Sequence, residues 1–286
     1  MKIGFIGLGN MGTPMAENLA NSGFDVYGYD LIKNSVSGVT CVDNLVSAVE
    51  QSDVVITMLP DGKSLLKVYN QIVKIGKKNS VFIDCSTVDI ESALMATSIA
   101  ETNGLRSMDA PVSGGVVGAK AATLTFMVGG SQDTFEEVFH IFDVMGQKAV
   151  LCGGNGAGQT TKLCNNMILG ISMIGVCEAF ALADSLNLDR QKMFDVVSTS
   201  SGYCWSLNAY CPAPGVGPKS PSDENYTPGF SAELMLKDLS LAQTAAKNNM
   251  VLTTLGEQAK ELYTKFVGSG GAKKDFSAIL NYIKGF

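Results

Sequence analysis

The chain has 286 residues, 46% of them hydrophobic and 17% charged, with 21 basic against 27 acidic side chains and a net charge of −6. At about 100–200 residues per domain this is chain enough for two domains with buried cores, and the apolar fraction excludes a disordered polypeptide. No Lys/Arg-rich block stands out, which argues against nucleic acid or an anionic membrane as partner. The single histidine, His140, counts against His-rich metal sites and against a Ser-His-Asp triad, so no metal is expected. The seven cysteines are scattered, odd in number and free of any Cys-x-x-Cys pair. They read as thiols of a reducing compartment.

In chain order, strand-like runs rich in β-branched or aromatic residues are expected at Lys2–Ile6, 25–30, 54–58, Val81–Asp84, 107–110, 124–128 and 149–152. No signal peptide is expected ahead of the first, because Lys2–Ile6 already reads as structure. Apolar residues at helical spacing fall between several of these runs. Met11, Met15 and Leu19 lie four apart, and Leu65, Leu66, Tyr69 and Ile72 keep the same period. Such alternation implies an α/β fold, a doubly wound parallel sheet with crossover helices on both faces.

After Cys152 the pattern changes. Gly153-Gly154-Asn155-Gly156-Ala157-Gly158 reads as a loop, and one almost entirely apolar helix is expected from Gln159 to about Leu186. Roughly 28 residues at 1.5 Å each give about 42 Å, long enough to bridge two domains. Its most apolar stretch, 167–183, contains Ser172 and Glu178, so a buried helix fits better than a membrane span. Beyond it no strand pattern recurs. Residues 189–198, 231–248, Thr254–Phe266 and 275–283 read as helices, interrupted by a Pro/Gly-rich loop at 211–229. The boundary is placed near Thr161, giving a dinucleotide-binding α/β domain at 1–161 and an all-α domain at 162–286.

Gly7-Leu8-Gly9-Asn10-Met11-Gly12 matches G-x-G-x-x-G directly after a strand and at the opening of a helix. In that context Gly7 permits the tight turn, Gly9 lets the backbone approach a pyrophosphate, and Gly12 allows close helix–strand packing. The phosphates then face a helix N-terminus, whose free N–H groups and dipole favour negative charge. Pro14 falls in the first helical turn, where its missing N–H costs little. Asp30, 23 residues after Gly7, ends the second strand, placed for a ribose 2′-OH. Leu31, Ile32 and Lys33 follow it, with no arginine to receive a 2′-phosphate, so NAD is expected over NADP. Gly62-Lys63-Ser64 mimics the end of a nucleoside-triphosphate loop. Thr57 stands where that loop needs its first glycine, and Pro60 breaks the cradle.

An enzyme that oxidises an alcohol needs a base for the hydroxyl proton and a group that fixes the substrate. His140, flanked by Glu136, Glu137 and Asp143, reads as part of an ordinary surface helix. Lys162 opens the long helix, and Asn166, four residues on, projects from the same face. The helix dipole does not favour a lysine there, and the pair forms a polar spot on an otherwise apolar helix. Position alone fits a solvated lysine equally well. Ser113-Gly114-Gly115, after a strand, offers a hydroxyl and bare N–H groups to a carboxylate, and a plain glycine turn fits the spacing equally well.

Four segments (4–12, 109–115, 158–166 and Lys237-Asp238-Leu239) together resemble the β-hydroxyacid dehydrogenase family over essentially the whole chain. The resemblance implies a Rossmann-like domain followed by an all-helical one, with the active site in the cleft between them. It implies homodimers or homotetramers built through the helical part. It places the substrate-anchoring motif on Ser113, Gly114 and Gly115, the catalytic lysine on Lys162 and a substrate-contacting asparagine on Asn166. Cofactor contacts fall on Gly7, Gly9, Asn10, Met11 and Gly12, on Leu59 and Pro60, on Thr87 and on Lys237, with Asp238 behind it. Residues 200–229, with Trp205 and Tyr210, and Lys273-Lys274-Asp275-Phe276-Ser277 resemble one branch of that family. That branch oxidises 3-hydroxyisobutyrate to methylmalonate semialdehyde with NAD in valine breakdown.

The loop around Trp205 and Tyr210 is expected either to wall the substrate or to pack onto the helices. A free lysine, with pKa about 10.4, is protonated at neutral pH. Lys162 therefore needs burial or a neighbouring cation such as Lys237 to act as a base, or stays charged and steadies an alkoxide. Two other readings remain open: a tartronate semialdehyde reductase with the same motifs, and a non-catalytic dinucleotide-binding module. The expected compartment is the cytoplasm, or the mitochondrial matrix where an import sequence has been removed.

Overall fold

The computed structural model describes residues 1–32 and 35–285; Lys33, one of the residues counted after Asp30, lies outside them. The chain divides into two compact units, Met1–Lys162 and Leu163–Phe286. The first opens with β1 (Lys2–Ile6), α1 (Gly12–Asn21), β2 (Asp25–Tyr29), β3 (Thr40–Cys41), α2 (Leu45–Val49) and β4 (Val54–Thr57). It continues through α3 (Gly62–Ile72), β5 (Val81–Asp84), α4 (Ile90–Thr102), β6 (Arg106–Asp109), β7 (Val112–Ser113) and α5 (Gly115–Lys120). Then come β8 (Leu124–Gly129), α6 (Gln132–Met145), β9 (Gly146–Gly153) and the first residues of α7 (Ala157–Ser185).

These strands form one nine-stranded sheet in the order β3-β2-β1-β4-β5-β6-β8-β7, with β9 paired to β8. From β3 to β6 every pairing is parallel. The expected parallel, doubly wound sheet is thus present with one exception: β8 runs antiparallel to both β6 and β7, while β9 again lies parallel to its neighbour β8. The turn after β7 accounts for this. Gly114 and Gly115 take φ of 136° and 61°, which reverses the chain without a full crossover helix.

Alternation along the strands sends side chains to two covered faces. Ile3, Phe5, Ile56 and Ile83 pack with Met15 and Leu19 of α1 and with Ile141 and Phe142 of α6. Ile6, Val55 and Phe82 pack with Leu65, Tyr69 and Ile72 of α3 and Ala93 and Ala96 of α4. Every residue of β4 and β5 is buried, which is why these strands read as unbroken apolar runs rather than alternating ones.

The second unit is helical. After α7 come α8 (Arg190–Val197), α9 (Trp205–Asn208), α10 (Ala232–Asn248), α11 (Thr254–Phe266) and α12 (Ile279–Ile283). The expected loop at 211–229 holds a 3-10 turn, Pro221–Glu224, closed by a reciprocal Ser220–Asp223 capping box. The helix expected at 275–283 is a 3-10 turn, Phe276–Ala278, followed by α12, and the Asp275 side chain caps it by accepting from Ser277 N. By length and composition α7 is apolar enough to cross a membrane. Met173, Cys177 and Phe180 on it are nonetheless buried against Met235, Leu239, Tyr263 and Phe276 in the core of this unit. Ile168 and Leu182 are 65% and 60% exposed, so the expected burial holds for one face of α7 only.

The sheet face under α3 and α4 turns polar where β4 and β5 end. Thr57 Oγ1 donates to Asp84 Oδ1 at 2.7 Å, and Ser86 Oγ donates to the same oxygen at 2.6 Å. Asp84 is only 3% exposed. Burial pushes its carboxyl up to about 7, against the opposing pull of the Ser86 and Thr57 hydrogen bonds. A carboxyl with a folded pKa above its unfolded value of 3.8 keeps its proton longer when folded. The stability this contributes is complete below about pH 4 and is lost as pH rises through about 7. Asp84→Asn, neutral at every pH, removes that dependence. The wild-type Tm should therefore fall relative to the variant's between pH 5 and pH 8 in thermal melts at fixed ionic strength. Parallel Tm-against-pH curves for the two proteins would overturn the assignment.

Candidate active site

In the first unit the turn after β1 is crowded beneath and open above. Gly7 has φ of 96°, its N–H donates to Tyr29 O at 2.9 Å, and a Cβ there would lie 2.2 Å from Met58 O. At Gly12 a Cβ would come within 1.8 Å of Gly7 O, whereas nothing stands within 4 Å of one at Gly9. Asn10 and Met11 complete the turn, and α1 then begins with neither a side-chain cap nor an acid in its first turn. The positive end of its dipole is thus left without an acid of the chain's own, which favours an outside anion there. Asp30, just past β2, accepts from Leu8 N and Ile32 N, both at 2.8 Å. The carboxylate braces the glycine turn from the position expected to meet a ribose. Strand order reverses between β1 and β4, and Leu59 and Pro60 follow β4 at that same C-terminal edge. These residues fit a dinucleotide: a turn that admits no side chains beneath, room above Gly9, and an uncapped helix start.

Gly62-Lys63-Ser64 forms the first turn of α3, and Asp61 caps it by accepting from Ser64 N at 2.7 Å. An acid thus occupies the place where a phosphate would sit. His140 is exposed on α6 with its ring 6.0 Å from that of Phe24.

The start of α7 is tied to the strand ends. Asp109, last in β6, accepts from Gly156 N at 2.7 Å and Gln159 N at 2.8 Å. Burial pushes the Asp109 carboxyl above its usual range, against the backbone N–H bonds that favour its charged form. Gly158 has no room for a side chain: a Cβ would be 2.3 Å from Met127 O. Gln159, fully buried, donates from Nε2 to Ser86 O at 2.7 Å and accepts at Oε1 from Val88 N at 3.2 Å. Ser86 Oγ in turn accepts from Leu59 N at 2.8 Å. Thr87, half-buried, lies between the two backbone groups that Gln159 holds. Lys162 follows one turn later and is 7% exposed. Ser113 ends β7, and Gly114 and Gly115, both at positive φ, lead directly into α5.

In the second unit Asn166, 2% exposed on α7, donates from Nδ2 to Asp238 Oδ2 and receives at Oδ1 from Asn165 Nδ2 at 2.9 Å. Lys237 Nζ stands 3.8 Å from Asp238 Oδ1. The Lys237-Asp238 pair on α10 thus supports Asn166. Trp205 is half-exposed and stacks on Tyr210, with ring centroids 4.8 Å apart. Tyr210 donates to Asp275 Oδ2 at 2.9 Å, and that same oxygen accepts from Gly229 N and Phe230 N. The aromatic pair is therefore set by a buried carboxylate 65 residues away.

One supporting residue, Asp84, escapes the motif reading, and Asp109, Gln159 and Asp275 enter it only as members of segments, with no role of their own. Their one sequence signal is a polar side chain next to a motif, with nothing to indicate its partner.

Residues 2–154 match the family model described as the NAD binding domain of 6-phosphogluconate dehydrogenase. Residues 156–283 match the one described as NAD-binding of NADP-dependent 3-hydroxyisobutyrate dehydrogenase. A probable 3-hydroxyisobutyrate dehydrogenase of Mycobacterium tuberculosis is 42% identical over 287 residues, 99% of this chain and 97% of that protein. The mitochondrial 3-hydroxyisobutyrate dehydrogenase of Mus musculus is 41% identical over 290 residues, 99% of this chain and 87% of that protein. A solved structure of the Mycobacterium tuberculosis 3-hydroxyisobutyrate dehydrogenase with L-serine superposes with a TM-score of 0.94 at 41% identity, covering 99% of both chains. With its glycine turn and its Lys162-bearing helix falling inside full-length matches of this kind, the chain belongs to the 3-hydroxyisobutyrate dehydrogenase family, oxidoreductases built on a nicotinamide dinucleotide-binding domain.

Proposed function

We propose that the protein oxidises 3-hydroxyisobutyrate to methylmalonate semialdehyde with NAD, a step of valine breakdown. The observation that carries this reading is a lysine buried on a helix whose first turn is pinned at Asp109 and Ser86. When bound, the nicotinamide dinucleotide supplies the acceptor for the hydride that leaves the hydroxyl-bearing carbon. Lys162 Nζ meets the hydroxyl oxygen and takes its proton or, if itself charged, steadies the growing alkoxide. Asn166, held by Asp238, hydrogen-bonds the substrate. The Ser113 hydroxyl and the N–H groups of Gly114 and Gly115 hold the carboxylate. Trp205, backed by Tyr210, lies along the substrate's methyl group. L-Serine, present with the Mycobacterium tuberculosis relative, also carries its hydroxyl β to a carboxylate, which supports this substrate class.

Residues 1–161 serve the nucleotide, through the glycine turn, Asp30, Leu59, Pro60 and Thr87. Residues 162–286 serve the substrate and assembly into a homodimer or homotetramer, with Lys237 reaching the cofactor. The protein works in the cytoplasm, or in the mitochondrial matrix of a eukaryotic cell.

NAD is favoured because a 2′-phosphate would meet the Asp30 carboxylate, and like-charge contacts cost several kcal/mol. Catalytic efficiency with NAD should exceed that with NADP at least about tenfold, the equivalent of roughly 1.4 kcal/mol. Asp30→Ala should narrow the ratio while weakening NAD binding, because Leu8 N loses its acceptor. Equal efficiency with the two cofactors in steady-state assays would reverse the assignment.

Lys162→Met should lower kcat by about 10³ or more and leave the NADH dissociation constant, read by fluorescence, nearly unchanged. A variant that keeps more than about a tenth of the activity rules Lys162 out of the chemical step. In the same assays 3-hydroxyisobutyrate should exceed 3-hydroxypropionate by about tenfold or more, as one methyl in an apolar pocket allows, with glycerate below both. Glycerate in first place would turn the reading to a tartronate semialdehyde reductase.

A further inference from the structure

We propose that Gln159 is a positioning residue that locks the turn of α7 bearing Lys162 to the backbone around Thr87, and thereby sets where the amine stands relative to the nicotinamide end of the cofactor. This rests on Lys162 being the catalytic group and Thr87 a cofactor contact.

The primary amide of Gln159 meets the carbonyl of Ser86 and the N–H of Val88, the two backbone groups that flank Thr87. It holds that segment as a neighbouring strand would, with one donor and one acceptor. Because the side chain is fully buried, neither backbone group has water as an alternative partner. The same residue's own N–H is held by Asp109, so side chain and main chain of Gln159 are anchored at the ends of two different strands, β5 and β6. Lys162 lies three residues further on, about 4.5 Å along the helix and close to the same face. One continuous hydrogen-bonded path thus runs from Leu59 N through Ser86 to Gln159 and into the turn of Lys162. A shift of one component reaches the other. Glutamine suits this place because a carboxylate offers no donor to the Ser86 carbonyl, whereas a protonated carboxyl does.

The test uses the full-length protein as wild type, Q159L, K162M and the Q159L/K162M double variant, with Q159E assayed across pH. The readouts are kcat with NAD and 3-hydroxyisobutyrate, the NADH dissociation constant by fluorescence, and Tm. Q159L should lower kcat about 10- to 100-fold, the scale expected for misplacing a reacting group by about 1 Å, with NADH affinity within about threefold of wild type. In the K162M background the same change should alter kcat less than about twofold, because no amine remains to be positioned. Q159E should recover kcat relative to wild type as pH falls from 8 to 6, where the carboxyl regains its proton. The proposal is overturned by equal fold-losses in the two backgrounds, or by a lower Tm with kcat unchanged. If Q159L does not fold, Q159E decides alone, and a pH-independent ratio to wild type overturns the proposal. Failure of the proposed function shows differently: the wild type turns over no 3-hydroxy acid, or K162M keeps its activity, and the role of Gln159 falls with it.

Discussion

A single buried carboxylate, that of Asp109, meets the first N–H groups of α7 and determines where the longest helix of the protein begins. Helix starts leave N–H groups without partners, and a carboxylate satisfies them while opposing the positive end of the dipole. The space for this contact is made by glycines. A Cβ at Gly129 would lie 2.3 Å from Asp109 Oδ1, and one at Gly158 would lie 2.8 Å from Asp109 Oδ2. Helix and sheet can approach this closely only because both positions lack side chains. Gln159 and Lys162, in the first two turns of α7, inherit that geometry, and both are buried.

The other polar groups of the first unit follow the same plan. The glycine turn follows β1, Asp30 follows β2, Leu59 follows β4, Ser86 follows β5, and Asp109 ends β6. Parallel strands with right-handed crossovers deliver all of their C-terminal ends to one edge, so these groups collect there although sequence scatters them. The central strands β4 and β5 are buried along their whole length. Polarity is confined to their ends, where Thr57, Asp84 and Ser86 share hydrogen bonds and link one loop to the next.

The second unit uses buried carboxylates in a similar way without a sheet. Asp238 orients Asn166, and Asp275 joins the Tyr210 ring, the Gly229 and Phe230 N–H groups and Ser277. A buried carboxylate with several donors is costly to rearrange, because each lost bond leaves a desolvated group behind. This gives the aromatic pair Trp205 and Tyr210 a rigid backing although Trp205 itself is half-exposed.

The sequence by itself determined the elements whose signals are local. Lys2–Ile6, Val81–Asp84 and Thr254–Phe266 stand where composition and period place them, and α7 at Ala157–Ser185 differs by two residues at its start and one at its end from its sequence reading. The glycine turn was legible because its three glycines fall within six residues directly after a strand, although the group that crowds Gly7, Met58 O, lies far along the chain. Lys162 and Asn166 were legible as polar positions on an apolar helix, and both are buried. Tertiary structure alone decided the rest. The two-residue strands β3 and β7 carry too little pattern to be read, and the antiparallel course of β8 follows from a turn rather than from strand composition. Gln159 finds Ser86 across 73 residues, Gly156 finds Asp109 across 47, and Thr57 finds Asp84 across 27. A hydrogen bond of that span leaves no periodic trace in the chain. A buried polar side chain shows in sequence only as a residue type, and the fold alone decides which partner it meets.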